Sequence, residues 1–483
     1  MSSNRLFSIN MPQSPNDYEF EVLSFSGEEE IGELFRYEVE IISQNSDIDA
    51  QYMLDVEVSL QLHNKDGEDT YIHGVLEYFE AQQEIGKGYI LYKACLVPKL
   101  WWLSVAKNQL IFLNKSVIEI LESTLIYGHF TKDDYEFRLH SSYETREYVC
   151  QYEESHYDFF RRWMQREGIY FFFEQNVDGC KLVITDANDK HRELEELNTM
   201  LYRPNSGLQE FNEQAVSNAL FRSKNTIKSV RMKNYNPDKP SLEINTYTQS
   251  SLNDPTKTYL YGNNTQSIEE SKRLTVINEE KFKCTAQEML GDSNIVSLIP
   301  GYIYTLNEYF KAELNQQYIM VKVHSNGSQK AMLSNIIAAD DNETSFYQNE
   351  FIMIPSTTQY RMQSSTPWPK ISGMLSATID GAGSGEVAEL DKHGRYKVIM
   401  PFDLSGREHA KASMFLRMAQ PSAGGKQGMH FPLHKGTEVL IAFKNGDPDQ
   451  PIIASAVPNI DTPSPVNEKN ITQSVITTAS GLT

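Results

Sequence analysis

The chain has 483 residues and a formal net charge of −21, from 44 Lys and Arg against 65 Asp and Glu. Nucleic acids and anionic membrane surfaces repel so acidic a protein, which disfavours both as partners. At roughly 100–200 residues per domain, the length predicts two to four domains. Hydrophobic residues make up 40% of the chain, which is enough for several packed cores.

The cysteines and the N-terminus bear on the cellular compartment. Cys95, Cys150, Cys180 and Cys284 are widely spaced, so we expect buried thiols rather than a zinc site or disulfides. The N-terminal sequence has no apolar stretch of signal-peptide length, and we expect no transmembrane helix. Assembly in the cytoplasm, with any export independent of an N-terminal signal, is therefore the expectation.

The first half of the chain is dominated by strand patterns. Residues 56–62 alternate between apolar and polar, as a half-buried strand does. Residues 37–43 and 89–97 are more continuously apolar and also predict strands. Helical spacing predicts one helix over 116–126 and a more exposed one within 264–290. The predicted fold class is mainly β with some α (α+β).

Residues 155–174 carry the clearest local signals. Ser155 with Asp158 predicts a capping box at a helix start, and Gly168 predicts the helix end in a left-handed conformation. A buried aromatic strand is expected over 169–173. The helix carries a stripe of four apolar side chains: Phe159, Phe160, Trp163 and Met164. We interpret this stripe as core packing and not as a ligand cage.

The residue pattern of the sequence changes near residue 356. Residues 356–369 are polar and bounded by prolines, which indicates a linker or a domain edge. Short strands are then expected, and they suit a small closed barrel; they are 396–400, 414–418, 437–443 and 452–457. Residues 458–465 contain three prolines and predict a second linker.

Three patterns with catalytic or binding associations are weak here. His430, His434 and Glu438 have metal-ligand spacing on a helix, but Pro432 and Gly436 exclude a helix. The glycine-rich residues 381–386 lack the Lys of a phosphate loop and predict a flexible hairpin tip. The many acidic residues leave open a carboxylate pair for glycoside hydrolysis. We assign no catalytic, cofactor-binding or metal-binding residue.

Residues 443–453 predict a β-hairpin with a rigid tip. Asn445-Gly446 favours a tight turn, and the two prolines that follow fix φ and end the strand. The side chains of Asp447 and Asp449 are expected to accept hydrogen bonds from turn amides before any cation. The tip motif consists of Gly446, Asp447, Pro448, Asp449 and Pro451.

These residues resemble a known family. FKNGDPDQPIIASAVPN, residues 443–459, is similar to the GDPDxP stretch of the VgrG family, the spike proteins of bacterial type VI secretion. Four further segments resemble the family in the same order along the chain; they are 24–41, 151–174, 394–403 and 415–443. The ordered set covers residues 24–459.

The resemblance implies an architecture shared with contractile phage tails. Residues 1–370 would form a tail-hub-like domain with β-barrel subdomains and a few helices, and 371–460 an OB-fold barrel. Residues 461–483 would be a linker and the start of a truncated β-helical needle. The family's long needle and any appended effector domain are therefore expected to be missing. Phe160, Trp163 and Gly168 would belong to the structural motif of the hub.

The resemblance also implies a function and partners. The chain would be a structural, non-enzymatic homotrimeric spike without cofactors, seated on a hexameric tube protein and secreted without a signal peptide. A tip protein and effectors would bind at the needle, and the target membrane would be contacted transiently. No nucleic acid is expected as a partner. A strand over 471–476, with Ile471, Val475 and Ile476, is the suspected seam between subunits. The alternatives are a baseplate hub of a contractile prophage tail and a cell-wall hydrolase.

Overall fold

A computed structural model describes residues 5–12, 18–54, 56–64, 67–194, 198–204, 213–248, 256–334 and 344–478. Within these ranges the strands are β1 (Phe7–Asn10), β2 (Glu21–Glu30), β3 (Arg36–Ser43), β4 (Glu57–Leu62), β5 (Thr70–Gly86), β6 (Tyr89–Val97), β7 (Lys107–Ser116), β8 (Tyr135–Arg138), β9 (Thr145–Ser155), β10 (Tyr170–Asn176), β11 (Gly179–Thr185), β12 (Arg192–Glu193), β13 (Thr199–Leu201), β14 (Val216–Ser223), β15 (Ser229–Asn234), β16 (Ile244–Tyr247), β17 (Lys257–Tyr261), β18 (Gln287–Ser293), β19 (Tyr302–Asn307), β20 (Gln317–Ser328), β21 (Phe346–Pro355), β22 (Met374–Asp380), β23 (Lys397–Ile399), β24 (Glu438–Phe443) and β25 (Pro451–Ala456).

Helices are fewer, as the sequence predicts. The α-helices of the described residues are α1 (Ala50–Met53), α2 (Trp102–Val105), α3 (Val117–Tyr127), α4 (His156–Glu167) and α5 (Ile268–Lys283). The predicted helices over 116–126 and within 264–290 are confirmed as α3 and α5. The predicted strands over 37–43, 56–62 and 89–97 are confirmed as β3, β4 and β6.

The chain divides into two compact units. The first takes its residues from Met1–Val105, Leu125–Ser142 and Phe160–Thr366, and the second from Ala106–Thr124, Tyr143–Phe159 and Pro367–Thr483. The predicted ranges 1–370 and 371–460 were continuous, whereas the second unit also includes two segments from the first third of the chain. The assignment of 461–483 to the start of a needle stays a prediction.

A large sheet forms the centre of the first unit. Its main path has the order β1-β4-β5-β6-β3-β2-β20-β21-β18-β14, and β19 extends it beside β20, with β12 and β13 paired to β19. The pairs along the main path are antiparallel, so successive residues alternate between faces. Val39, Ile41 and Leu60 are fully buried on one such face.

Two small sheets complete the first unit. The first has the order β10-β11-β8 and contains the aromatic strand predicted over 169–173. The second has the order β16-β15-β17 and packs on α5 through a small core that contains Val230, Met232, Leu274 and Ile277. Ser267 caps α5, because its side chain accepts a hydrogen bond from Glu270 N.

The second unit contains the predicted barrel. Its sheet has the order β23-β22-β24-β25, and β7 and β9 form a separate two-stranded antiparallel sheet. The predicted strand over 414–418 is wrong as a continuous strand, because this segment makes single bridges, Leu416 to Tyr396 and Met418 to Ile453. These two bridges join opposite edges of the sheet and therefore close it.

Residues 356–366 are not a loose linker. Tyr360 and Met362 are 8% and 3% exposed, and the Tyr360 hydroxyl donates to Ile31 O at 3.0 Å. Arg361 Nη1 donates to Gly168 O at 2.7 Å. The expectation of a linker is corrected here: polar composition was misleading because these polar groups satisfy backbone carbonyls of the first unit. The change of unit after Thr366 does fall within the predicted range.

The four cysteines, all within the described residues, form no disulfide. Cys95, Cys150 and Cys284 are buried as predicted, whereas Cys180 is only half-buried. The residue lies at the start of β11, and burial of its thiol raises the pKa of Cys180 well above its ordinary value.

Candidate functional site

The tip motif is a tight turn between β24 and β25. Phe443 pairs with Pro451 at the base of the turn, and Lys444 N donates to Gln450 O at 3.0 Å. Asn445 and Gly446 have φ angles of 56° and 74°. Glycine and asparagine adopt this left-handed region at least cost, so the Asn-Gly pair explains why the chain reverses here.

Asp447 holds the tip together from inside. Its Oδ1 accepts from Asp449 N at 3.0 Å and from Trp368 Nε1 at 3.1 Å, and its Oδ2 accepts from Gln450 Nε2 at 2.6 Å. The carboxylate therefore accepts from a turn amide, as the sequence predicts. The indole of Trp368 is a partner that local sequence did not indicate.

Asp449 joins the tip to the β7–β9 sheet of the same unit. The side chain is 5% exposed, and its Oδ1 accepts from Cys150 N in β9 at 2.6 Å. The two residues are 299 positions apart in the sequence. Sequence reasoning missed this contact because turn chemistry identifies an acceptor but not a distant donor.

The β7–β9 sheet also completes the core of the barrel. Ile111, Tyr148 and Cys150 share one buried cluster with Val439 and Ile441. Arg407 Nη2 adds a hydrogen bond to Ile111 O at 2.6 Å. Burial raises the pKa of the Tyr148 hydroxyl well above its ordinary value, so this group stays neutral. The tip is thus hydrogen-bonded to the β7–β9 sheet, which shares its core with the barrel in the second unit.

Helix α4 has the caps that the sequence predicts. Asp158 N donates to Ser155 Oγ at 2.9 Å, and Ser155 Oγ donates to Asp158 Oδ2 at 2.7 Å. At the other end Gly168 has φ of 77°, and Ile169 N donates to Met164 O at 2.9 Å. This last bond is the outer bond of a Schellman motif. A Cβ on Gly168 would also lie 3.0 Å from the Ile277 side chain.

The aromatic stripe of the helix is core. Phe160 and Trp163 are both 0% exposed. Arg166 lies 5.3 Å from the centre of the Trp163 ring and forms an ion pair of 2.9 Å with Glu270. Burial lowers the pKa of Arg166, but the carboxylates of Glu167 and Glu270 raise it above its ordinary value overall. These partners belong to the chain itself, which supports packing rather than ligand capture.

The weak binding patterns have structural explanations. Glu438 accepts from Ser376 Oγ at 2.9 Å and from Asn459 Nδ2 at 3.0 Å, and His430 Nε2 lies 3.2 Å from the Tyr396 hydroxyl. No group of three or more possible metal ligands occurs among the residues that the structure describes. The glycine-rich loop folds around a carboxylate of its own chain, since Glu389 accepts from Ala382 N and Gly383 N.

The C-terminal segment is exposed and irregular. Ile471 and Ile476 are 75% and 66% exposed, and Val475 is half-buried. Described residues 457–478 contain no strand, so the strand expected over 471–476 is wrong for the single chain. An isolated strand has no ladder hydrogen bonds to offset its ordering cost. The role of these three residues at a subunit seam stays a prediction.

Two family descriptions match the chain. Residues 28–331 match the family described as "Phage tail baseplate hub (GPD)", and residues 384–457 match the "Type VI secretion system/phage-baseplate injector OB domain". The second match identifies the closed sheet as an OB barrel. Of the helices among the described residues, none has both the length and the apolar character needed to cross a membrane.

Curated relatives point the same way. Type VI secretion system spike protein VgrG5 of Pseudomonas aeruginosa is 29% identical over 473 residues, which cover 96% of this chain and 59% of that protein. Actin cross-linking toxin VgrG1 of Vibrio cholerae is 29% identical over 423 residues, which cover 87% of this chain and 38% of that protein. The chain thus spans only part of the length of these relatives.

A solved structure shows the fold. The E. coli c3393 protein is a component of the type VI secretion system with structural similarity to the T4 bacteriophage tail proteins gp27 and gp5. It superposes with a TM-score of 0.67 at 20% identity, covering 93% of this chain and 100% of that chain. The resemblance that the sequence motifs indicate is confirmed. The chain belongs to the phage tail baseplate hub family, and it is similar to VgrG spike proteins.

Proposed function

We propose that the chain is the structural hub and spike of a type VI secretion apparatus. One observation carries the proposal: a baseplate-hub segment, residues 28–331, precedes an injector OB segment, residues 384–457, in a single chain. In that order the hub portion sits on the tube and the barrel leads toward the spike. The protein then acts by transmitting force through the target membrane and not by chemistry.

The proposed partners follow from this role. Three copies form the spike, a hexameric tube protein lies beneath it, and a tip protein and effectors bind beyond the barrel. The complex assembles in the cytoplasm and leaves through the apparatus. The motif residues support a non-enzymatic role, because Asp447, Asp449 and Glu438 are engaged by groups of their own chain.

The first test is the solution mass, measured by light scattering on a sizing column. The expected mass is near three times 55.3 kDa, and a stable dimer would contradict the three-fold architecture. Ile471→Ser, Val475→Ser and Ile476→Ser combined should lower the trimer fraction if these residues form the seam. Leu404→Ser is the control, since Leu404 is 80% exposed outside that segment.

The second test separates secretion from a phage tail and from an enzyme. The tagged chain, expressed in its own bacterium, should reach the medium only while the sheath and secretion ATPase are intact. Release that persists without them would favour the prophage hub, as would capsid and terminase genes beside its gene. Clearing of peptidoglycan above a mock preparation would replace the structural role by hydrolysis.

A further inference from the structure

The small sheet β16-β15-β17 has one face that its own chain covers. Val230, Met232 and Ile244 are buried, and the first two pack on Leu274 and Ile277 of α5. Neighbouring residues in a strand point to opposite faces, so Arg231 and Lys233 lie on the other face. That second face is the outer face of the sheet.

Tyrosines and cations alternate across this outer face. The strand register places Arg231 between Tyr247 and Tyr259, and Lys233 between Asn245 and Tyr261. The three tyrosines are 58%, 55% and 56% exposed in chain order. The register therefore produces two adjacent rows, Tyr–Arg–Tyr and Asn–Lys–Tyr.

The polar groups of the face are held in place. Arg231 Nε donates to Asn245 Oδ1 at 2.9 Å, which joins the two rows, and Lys233 Nζ lies 3.6 Å from Glu243 Oε1. A guanidinium held this way loses less side-chain entropy on binding than a free one. The face is thus preorganised for a ligand that lies across it.

The local charge is opposite to that of the whole protein. Arg231, Lys233 and Lys257 lie on these strands with Glu243 beside them, whereas the chain as a whole carries −21. A cationic patch on an acidic protein attracts an anionic group at short range, within about a Debye length of 8–10 Å. Tyrosine and arginine are also the side chains most enriched at the energetic centres of protein interfaces.

We propose that this outer face is a docking surface for an acidic, extended polypeptide segment of a partner protein. The segment lies along the rows, with its carboxylates on Arg231 and Lys233 and its apolar parts on the tyrosines. A polypeptide is favoured over a nucleic acid because the net charge of −21 repels a strand with one charge at every phosphate more strongly than a peptide whose carboxylates are separated by uncharged residues. The inference goes beyond the spike function and does not depend on it.

A binding experiment on the full chain tests the proposal. The probe is a fluorescently labelled glutamate–tyrosine random copolymer, followed by anisotropy, with an equally labelled oligothymidylate beside it. The wild-type chain should bind the copolymer, and binding should weaken with added salt. Tyr247→Ser, Tyr259→Ser and Tyr261→Ser combined should weaken it about tenfold or more. Arg231→Gln with Lys233→Gln should do the same, and it keeps the sheet's apolar face intact.

The matched control is Phe310→Ser with Lys311→Glu. Phe310 is 71% exposed and lies near the Lys311 ammonium, so the pair offers an aromatic group and a cation outside the sheet. Retained copolymer binding in this variant supports the proposal. Four results would overturn it: no copolymer binding by the wild-type chain, equal loss in the control, tighter binding of the oligothymidylate, or a changed oligomeric mass in the sheet variants. The last would make the face a contact between copies.

Discussion

A polar side chain is buried near each end of strand β2, and the two differ in whether they can ionise. Near the start of β2 lies Gln329, which directly follows the last residue of β20 and is 0% exposed. Near the end of β2, Glu29 is 8% exposed. The first side chain is a neutral amide and the second a titratable acid, so the same depth of burial has different consequences for stability.

Gln329 is fully satisfied. Its Oε1 accepts from Leu6 N and Phe7 N at 3.0 and 3.1 Å, and its Nε2 donates to Phe7 O and Val22 O at 3.0 and 2.7 Å. A side-chain amide has two donors and two acceptor sites, and here all four are used. One neutral residue therefore attaches β1 to β2 at no cost that depends on pH.

Glu29 accepts a hydrogen bond from a neighbouring tyrosine. Its Oε1 accepts from the Tyr37 hydroxyl at 2.5 Å. Burial raises the pKa of Glu29 to about 7, against the opposing effect of that hydrogen bond. The folded state holds this proton more tightly than the unfolded chain, whose ordinary pKa is 4.5. Stability from this group is therefore full below about pH 4.5 and is lost as the pH rises through 7.

Of the three substitutions, Gln329→Leu should lower the free energy of unfolding most. The substitution roughly keeps the side-chain volume. It removes the four hydrogen bonds to Leu6 N, Phe7 N, Phe7 O and Val22 O. We expect a loss of about 4 kcal/mol in the free energy of unfolding, at about 1 kcal/mol per bond, measured by urea denaturation. Gln83→Leu on the exposed part of β5 is the control and should change little. A loss below about 1 kcal/mol would show that water replaces the amide.

Glu29→Gln should remove the pH dependence. At about pH 8 the variant is expected to exceed the wild type by about 3 kcal/mol in unfolding free energy, and near pH 4.5 the two should agree within about 1 kcal/mol. Urea unfolding at several pH values measures both. Glu28→Gln, one position earlier and exposed, is the control. Parallel pH curves for Glu29→Gln and wild type would contradict the assignment.

Of the three substitutions, Tyr37→Phe should change the free energy of unfolding least. The hydroxyl opposes the rise in the pKa of Glu29, so its removal should raise that pKa further and cost about 1 kcal/mol above pH 7. The loss should be smaller near pH 4.5. Tyr92→Phe is the control, because the Tyr92 hydroxyl donates to Asn45 O at 2.8 Å and its loss should not vary with pH.

Local signals in the sequence predicted local structure well. Ser155, Asp158 and Gly168 gave the limits of α4 because capping depends on residues within one turn. Asn445-Gly446 predicted the reversal at the tip for the same reason. The family resemblance added the hub and the OB barrel, which no single signal predicts.

Contacts between distant residues could not be read from the sequence. The hydrogen bond from Cys150 N to Asp449 depends on two segments meeting in space. Tyr360 and Met362 were hidden in a polar stretch because their burial depends on the surface they cover. The strand predicted over 471–476 is missing from the single chain, since a strand-like pattern without a partner strand does not form a strand.

The discontinuous second unit has a consequence for synthesis on the ribosome. Strands β7 and β9 emerge early, but the barrel residues that share their core follow only after Pro367. At about 5–20 residues per second, the two strands wait on the order of ten seconds or more for those partners. During that interval Ile111, Tyr148 and Cys150 lack their native cover. Strands β7 and β9 therefore expose apolar side chains to chaperones while the rest of the chain is still being made.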